Sequence, residues 1–251
     1  MDAGRRVALI TGTSSGIGSA IAERLAVDGM HVVCVARSSS VHDQAADLVK
    51  RGLAASAFTL DVSDTPAAIA AVERVVAEQG RLDVLVNNAG MVPAYVDRAP
   101  TIEEQPIETW LTELAVNLTA PFILCRAAVP HMKKQRWGRI VNITSRAGRT
   151  LVPAASHGYS ASKAGLIGLT RYLAGELALH GVTVNAIAPG RVEVGKDDPD
   201  APLVAQTVAG NPMRRAGRPP EIAEAVSYAV SEGAGFMTGA VIDVNGGAFM
   251  G

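Results

Sequence analysis

The chain has 251 residues, of which 48% are hydrophobic and only 4% aromatic, and its formal net charge is −1 at pH 7. A charge so close to zero gives no general attraction to nucleic acid or to anionic membranes, so neither is expected as a partner. A core poor in aromatic side chains must be built from Ala, Val, Leu and Ile, which suits parallel strands buried on both faces.

The start of the chain and the two cysteines indicate the cellular compartment of the protein. The first residues lead directly into a strand-like run without a signal peptide, and no apolar run reaches the length of a membrane span. Cys34 and Cys125 lie inside apolar segments, which favours buried reduced thiols over a disulfide or a nucleophile. No Cys and His cluster has metal-ligand spacing. We therefore expect a soluble cytoplasmic protein without a metal site.

Short apolar runs typical of strands alternate along the chain with longer amphipathic runs typical of helices. Strands are predicted at 6–11, 31–36, 56–62, 83–89, 139–145, 182–188 and 240–246. Helices are predicted after Gly16 and over 41–52, 65–80, 107–134, 159–181 and 219–232, with ends at Gly29, Gly52, Gly80 and Gly181. This alternation predicts an α/β, three-layer, doubly wound parallel sheet with helices on both faces. No linker divides the chain, so residues 1–251 are predicted to form one domain.

The turn after the first strand is rich in glycine, with the spacing G-x-x-x-G-x-G in TGTSSGIG. Glycines let a backbone approach a pyrophosphate, and the N-terminus of the following helix offers free N–H groups to it. The alternative is a tight connection without a ligand. Nucleotide binding is favoured by the position between a strand and a helix, and the predicted contacts are Gly12, Ser14, Ser15, Gly16, Ile17 and Gly18.

The end of the second strand predicts which nucleotide binds. An NAD site usually has Asp or Glu there to accept a hydrogen bond from the ribose, whereas this chain has Ala36 followed by Arg37. A guanidinium can pair with a 2′-phosphate, so NADP(H) is favoured over NAD(H). The alternative is an arginine on a solvated loop.

Two further strand ends carry candidate cofactor contacts. Asp61 could accept a hydrogen bond from the adenine amino group while Val62 backs the ring, or Asp61 could instead be a turn residue or a helix N-cap. The NNAG stretch with Asn88, Ala89 and Gly90 ends the fourth strand, at the edge where ligands of open α/β sheets bind. Its asparagines are expected to hold neighbouring loops together.

A serine, a tyrosine and a lysine follow the fifth strand. Tyr159 and Lys163 have the i, i+4 spacing that places two side chains on one helix face, and Ser145 precedes them. At about 4 Å and an effective dielectric near 20, an ammonium would favour phenolate by about 4 kcal/mol before desolvation costs. The pair is therefore expected to lower the pKa of Tyr159 toward working pH, although such pairs also occur by chance on helix surfaces. In the preceding helix, Pro121 lacks the N–H that would bond the Asn117 carbonyl, which could then hold an ordered water.

The chain resembles a short-chain dehydrogenase/reductase of the single-domain type. Five features carry the resemblance: TGTSSGIG, NNAG, Asn117 in VNLTAPF, Ser145 and the YSASK stretch from Tyr159 to Lys163. The C-terminal stretches PPEIA and TGAVIDVNGG resemble the same family, most closely its 3-oxoacyl-carrier-protein-reductase-like branch. The resemblance covers essentially the whole chain. It implies a Rossmann fold with seven strands in the order 3-2-1-4-5-6-7, a nicotinamide cofactor and a homotetramer.

The resemblance also implies residue roles. Ser145 would donate to the substrate carbonyl, Tyr159 would pass it a proton, and Lys163 would lower the tyrosine pKa and hold the nicotinamide ribose. Asn117 would support a proton-relay water. The cofactor would further contact Pro189, Gly190 and Val192, in a turn where the family often has Thr at the position of Val194. The 14-residue separation of Ser145 and Tyr159 is one more than in the nearest branch.

Substrate choice is expected to depend on loops, namely residues 91–100 and a lid at about 191–215. His157 and Arg191 could contact substrate or be ordinary loop residues. Arg214, Arg215 and Arg218 could bind an acidic carrier protein or form a solvated rim.

The favoured function is hydride transfer between NADP(H) and a ketone or secondary alcohol, with a 3-oxoacyl thioester, carrier-protein- or CoA-linked, as the leading small-molecule substrate. One alternative is an NAD(H)-dependent dehydrogenase of a sugar, polyol or steroid-like alcohol. A non-catalytic nucleotide sensor is another.

Overall fold

The computed structural model describes residues 4–92, 99–195 and 202–251. Seven parallel strands form one sheet in the order β3-β2-β1-β4-β5-β6-β7. The strands are β1 (Val7–Thr11), β2 (His31–Ala36), β3 (Ala55–Thr59), β4 (Val84–Asn87), β5 (Gly138–Ile143), β6 (Val182–Pro189) and β7 (Val241–Val244). The predicted fold class and strand order are confirmed.

Helices connect the strands and cover both faces of the sheet. They are α1 (Gly16–Val27), α2 (Ser40–Lys50), α3 (Thr65–Gln79), α4 (Ile107–Leu114), α5 (Ala120–Gln135), α6 (His157–Leu177), α7 (Pro202–Ala209) and α8 (Pro219–Val230). The predicted glycine ends are observed: Gly80 caps α3 with a φ of 78°, and Gly181 follows the last turn after α6 with a φ of 74°. These left-handed conformations favour glycine because it has no Cβ.

Two apolar cores lie on opposite faces of the sheet. Along β1, Leu9 belongs to one core and its neighbour Ile10 to the other. The first core includes Val72 of α3 and Leu124 of α5, and the second includes Ile21 of α1. Because successive strand residues alternate between the faces, a strand buried on both sides must be apolar at nearly every position. This arrangement brings the carboxyl ends of the central strands to one edge.

The predicted helix over 107–134 is interrupted in the structure. Residues Ala115–Thr119 form a π-helical turn between α4 and α5, in which the Ala120 N–H donates to the Ala115 carbonyl. A π-turn inserts one residue into the helical repeat and is often found at functional sites. It lies just before Pro121, the residue from which an altered hydrogen-bonding pattern was predicted.

Helix α7 was not predicted, since the prolines and charges before it indicated only an irregular lid. The expectation that no apolar run could span a bilayer also needs correction. Within the described ranges, the helical stretch Ile107–Gln135 is long and apolar enough to cross a membrane by length and composition only, and 39% of its most apolar part is buried in the protein. Polar residues spaced along this stretch interrupt its apolar run. Leu124 and Met132 of this stretch pack into the first core, as in the core helix of a folded domain.

Both cysteines have the environment predicted for reduced thiols. Cys34 and Cys125 are free and buried. Burial raises the pKa of each thiol to about 12, which keeps both protonated and unreactive. In the part of the chain that the structure describes, no group of three or more His, Cys, Asp or Glu side chains could hold a metal ion.

Candidate active site

The glycine turn forms a close-packed cradle at the end of β1. A Cβ on Gly18 would lie 2.1 Å from the Gly12 carbonyl oxygen, and Gly12 itself has a φ of +72°. Ser15 precedes α1 without capping it through its side chain. The first N–H groups of α1 are thus left for another acceptor, and an anion at a helix N-terminus satisfies them. The cradle fits the pyrophosphate of a dinucleotide.

The NNAG stretch holds this turn in place, as predicted. The Asn88 side chain donates to the carbonyls of Thr11 and Gly12 at 2.9 and 3.0 Å. In return, Thr11 Oγ1 accepts from the backbone N–H groups of Asn88 and Ala89 at 3.0 and 2.9 Å. The role of Thr11 was not predicted, because in the sequence Thr11 is an ordinary residue at the end of a strand. These four bonds fix the end of β4 against the glycine turn.

Arg37 and Asp61 lie on the exposed rim at the ends of β2 and β3. Asp61 Oδ1 accepts from the backbone and the hydroxyl of Ser63 at 2.9 and 2.6 Å. These bonds, with a further contribution from Arg37, lower the pKa of Asp61. Asp64, not Asp61, caps α3 by accepting from the Ala67 N–H. Of the alternatives for Asp61, the turn role is observed and the N-cap role is wrong, while Val62 is buried behind it.

The segment after β6 closes onto the glycine turn. Gly190 donates its N–H to the Val244 carbonyl at 3.0 Å, and Val192 forms an isolated parallel bridge with Gly217. The Val194 side chain faces the cradle, because a Cβ on Gly16 would lie 3.1 Å from Val194 Cγ1. Pro189, at the end of β6, leads into this segment. The predicted contacts of this region therefore adjoin those of the first turn.

Asn117 is fully buried in the π-helical turn and binds the chain after NNAG in both directions. Its Oδ1 accepts from the Met91 N–H at 2.8 Å, and its Nδ2 donates to the Met91 carbonyl at 3.0 Å. A Cβ on Gly90 would lie 3.3 Å from Asn117 Oδ1 and 3.6 Å from Lys163 Nζ. Gly90 therefore marks the point where the cofactor cradle, Asn117 and Lys163 meet.

Ser145, Tyr159 and Lys163 converge at the start of α6. The Ser145 Oγ accepts from the Ala147 N–H at 3.1 Å, and the hydroxyl lies close enough to the Tyr159 phenol to lower the pKa of the tyrosine. Lys163 Nζ lies 5.7 Å from the centroid of the Tyr159 ring and donates to the Ile143 carbonyl at 2.9 Å. The structure thus brings together the three side chains that the sequence singled out.

The electrostatics differ from the sequence expectation. Burial raises the pKa of Tyr159, and the Ser145 hydrogen bond offsets this only in part. Burial also lowers the pKa of Lys163 to about 8. The expected lowering of the tyrosine pKa is therefore wrong for this structure, because desolvation disfavours phenolate and the ammonium is engaged by a backbone carbonyl. The lysine remains largely protonated at neutral pH.

The segment after β6 and helix α7 flank a cavity next to the glycine turn. The cavity has a volume of about 800 Å³ and is lined by residues that include Arg191, Val194, Val208 and Arg215. Part of the predicted lid, residues 196–201, lies outside the described residues, as do residues 93–98 of the other predicted wall.

The sequence left open whether His157 and Arg191 contact the substrate. It also left open whether Arg214, Arg215 and Arg218 bind a carrier protein. His157 Nδ1 lies 3.5 Å from Gln105 Oε1. Arg215 forms a two-point ion pair with Glu221 at 2.6 and 2.8 Å, and Arg214 donates to the Ala209 carbonyl. Arg218 remains 70% exposed. Arg215 is therefore committed to the protein, which weakens the interpretation of the three as one docking cluster.

One buried carboxylate beside this site was missed altogether. Glu113 has no exposed surface, and the hydroxyl of Ser156, the N-cap of α6, donates to its Oε1. Its place four residues before Asn117 puts both on one helix face, which was the available signal.

Comparisons with known proteins agree with this arrangement. Residues 12–248 match the family model described as enoyl-(acyl carrier protein) reductase. Over 250 residues the chain is 38% identical to the 3-oxoacyl-[acyl-carrier-protein] reductase FabG of Escherichia coli K12, covering 98% of each. A 3-oxoacyl-[acyl-carrier protein] reductase from Brucella melitensis with bound NAD superposes with a TM-score of 0.90 at 35% identity, covering 98% of this chain and 92% of that one. A candidate NAD(P)-dependent gluconate 5-dehydrogenase from Beutenbergia cavernae with bound NADP has a TM-score of 0.90 at 36% identity, covering 97% and 96%.

Proposed function

The chain belongs to the short-chain dehydrogenase/reductase family and is an NAD(P)-dependent oxidoreductase, and on that premise we propose that it reduces ketones with NADP(H). The observation that carries the proposal is the convergence of Ser145, Tyr159 and Lys163 beside the cofactor cradle, with Gly90 as the meeting point. A non-catalytic nucleotide sensor is not favoured, because these side chains and Asn117 are all present and lie together.

In the proposed mechanism the bound nicotinamide supplies or accepts the hydride. Tyr159 donates the proton to the forming alkoxide, and its raised pKa keeps the phenol protonated for that step. Ser145, whose hydroxyl lies near the phenol, would stabilise the developing oxyanion. Lys163, whose buried ammonium lies next to Gly90, would hold the ribose hydroxyls of the cofactor. The Asn117 side chain is committed to Met91, so a proton-relay water at Asn117 would bind to its main-chain carbonyl.

The preference for NADP(H) rests on the end of β2. Ala36 provides no carboxylate to repel a 2′-phosphate, and Arg37 is exposed beside it. The charge of Arg37 contributes to the lowered pKa of Asp61, so the guanidinium lies near the rim that an adenosine would reach. Similar structures contain bound NADP in one case and bound NAD in another, so the proposed preference rests on the residues of this chain alone.

A 3-oxoacyl thioester, linked to a carrier protein or to CoA, is the proposed substrate class. It is supported by the similarity to FabG over nearly the whole chain. The cavity of about 800 Å³ beside Arg191 and Val194 has room for an acyl group. A second candidate is a sugar acid, favoured by the gluconate 5-dehydrogenase neighbour. We further propose that the chain is a single domain, that residues 191–215 act as a lid, and that the enzyme is a cytoplasmic homotetramer.

The test is a panel assay with both cofactors. NADPH and NADH oxidation would be followed with acetoacetyl thioesters, diketones, keto sugar acids and cyclic ketones. The proposal expects turnover with NADPH and the highest kcat/KM with the thioesters. Higher kcat/KM with keto sugar acids would favour the second candidate, and no turnover with any carbonyl would reject the proposed function.

A further inference from the structure

Glu113 is the buried residue of α4, and it faces the first turn of α6. The residues around it on α4 are exposed or half-buried, whereas Glu113 has no exposed surface. Its Oε1 accepts a hydrogen bond from Ser156, while its Oε2 is buried without a hydrogen-bond partner among the described residues. A buried carboxylate is costly to a fold unless its charge is balanced. This one lies under the helix that carries Tyr159 and Lys163.

Glu113 can pack against α6 because Gly158 has no side chain. A Cβ on Gly158 would lie 2.2 Å from Glu113 Oε2 and 3.2 Å from its carboxyl carbon. Gly158 is the residue immediately before Tyr159, so the carboxylate packs directly against the backbone that positions the phenol. Ser156 connects the same elements, because its Oγ donates to Glu113 and accepts from the Tyr159 N–H at 3.1 Å.

We propose that Glu113 is a positioning residue whose negative charge, held against the first turn of α6 by Ser156, keeps Tyr159 in its protonated, proton-donating form. The inference rests on the proposed function of Tyr159. A negative charge held close to a phenol disfavours its ionisation, since two like charges would then share a site of low dielectric. Protonated tyrosine is the form needed to reduce a carbonyl, whereas phenolate is needed to oxidise an alcohol.

The charges around the pair support this direction. Burial raises the pKa of Glu113, while Ser156, the Tyr159 N–H dipole and His157 favour its ionised form. Glu113 in turn raises the pKa of Tyr159, adding to the effect of burial. From α6 the titratable groups facing the pair are His157 and Lys163, and the uncharged Ser145 of the loop after β5 lowers the pKa of Tyr159.

The test compares Glu113→Gln and Glu113→Leu with the wild type. Both variants remove the charge, but only Gln keeps an acceptor for Ser156. For both, we expect the high-pH limb of kcat/KM for carbonyl reduction to move to lower pH. The matched limb for alcohol oxidation should move in the same direction, giving severalfold faster oxidation near neutral pH. Glu108→Gln, the same change at an exposed position of α4, should leave both profiles in place.

A second readout does not need turnover. The near-ultraviolet absorbance of tyrosinate would be titrated in the wild type and both variants, each corrected by its Tyr159→Phe counterpart. Ionisation of Tyr159 at lower pH in both variants supports the proposal. An unmoved titration, even with altered stability or kcat, would show that Glu113 is only structural and overturn it. If the wild type reduced no carbonyl, the proposed function would fail while this titration still decided the role of Glu113.

Discussion

Lys163 Nζ donates to the carbonyl of Ile143, the last residue of β5, at 2.9 Å. The bond joins the helix that carries Tyr159 to the strand that leads into Ser145. Lys163 is only 4% exposed, so its ammonium is held by the protein with little help from water. The site is thus assembled around a charge whose burial carries a cost for the fold, as is common where function and stability compete.

Replacing Lys163 with Met should abolish activity and stabilise the protein. Burial lowers the pKa of this lysine to about 8, from 10.5 in the unfolded chain. At pH values below about 8, burying the charge therefore lowers the free energy of unfolding by about 3 kcal/mol. Between these values the unfolded state binds more protons, and wild-type stability should rise with pH. The advantage of the variant should therefore shrink between pH 7 and about pH 10. Urea denaturation at both pH values measures this, with the exposed Lys134→Met as control. An advantage independent of pH would contradict it.

Replacing Tyr159 with Phe should lower kcat by about 10²- to 10⁴-fold, because the general acid is lost while the ring remains. Cofactor affinity should change little, since the cradle lies in the turn after β1. Steady-state kinetics and fluorescence titration with NADPH measure the two effects. Tyr172→Phe, on the same helix with the side chain 75% exposed, should behave like the wild type. Retained turnover in the Tyr159 variant would exclude the tyrosine as the acid.

The fold could be predicted because its signals are local and strong. The strands are short runs dominated by Val, Ile, Leu and Ala, and burial on both faces leaves few other sequences for them. Helix α7 was not predicted because prolines and charges precede it, and a helix of eight residues shows too few turns of periodic hydrophobicity to be recognised. The π-helical turn at Ala115–Thr119 was not predicted, because the missing N–H of Pro121 indicates altered hydrogen bonding in the helix but not which kind of turn results.

The candidate site could be predicted as a set of residues but not as an electrostatic environment. Motif spacing located Asn117, Ser145, Tyr159 and Lys163, whereas the direction of the tyrosine pKa depends on burial and on a carboxylate from another helix. Glu113 looks like any helical glutamate in the sequence. Its burial follows from how α4 packs against α6, together with the absence of a side chain at Gly158.

A methyl group at Gly18 should destroy the cofactor cradle. Its Cβ would lie 2.1 Å from the Gly12 carbonyl oxygen, a backbone atom that cannot move without opening the turn. Gly18→Ala should lose NADPH affinity by more than about tenfold and destabilise the fold by a few kcal/mol, about the cost of overpacking. Gly168→Ala is the matched control, because nothing lies within 4 Å of its Cβ position in α6. That change should raise stability by roughly 0.5–1 kcal/mol. Thermal unfolding and NADPH titration of both variants distinguish crowding from a general effect of alanine.

Removing the Arg37 guanidinium should reduce the selectivity for NADP(H). Arg37→Ala removes the group proposed to pair with the 2′-phosphate, and hydrogen bonds to charged groups of this kind correspond to about tenfold or more in affinity. NADPH affinity should therefore fall by about that factor, while NADH, which lacks the phosphate, should bind about as before. Isothermal titration with both cofactors measures the ratio directly. Arg51→Ala, at an exposed position paired with Glu23 beyond α2, serves as the control for loss of one surface charge. Equal losses of affinity for both cofactors would mean that Arg37 stabilises the loop without binding the 2′-phosphate. A wild type that prefers NADH would reject the proposed NADP(H) preference itself.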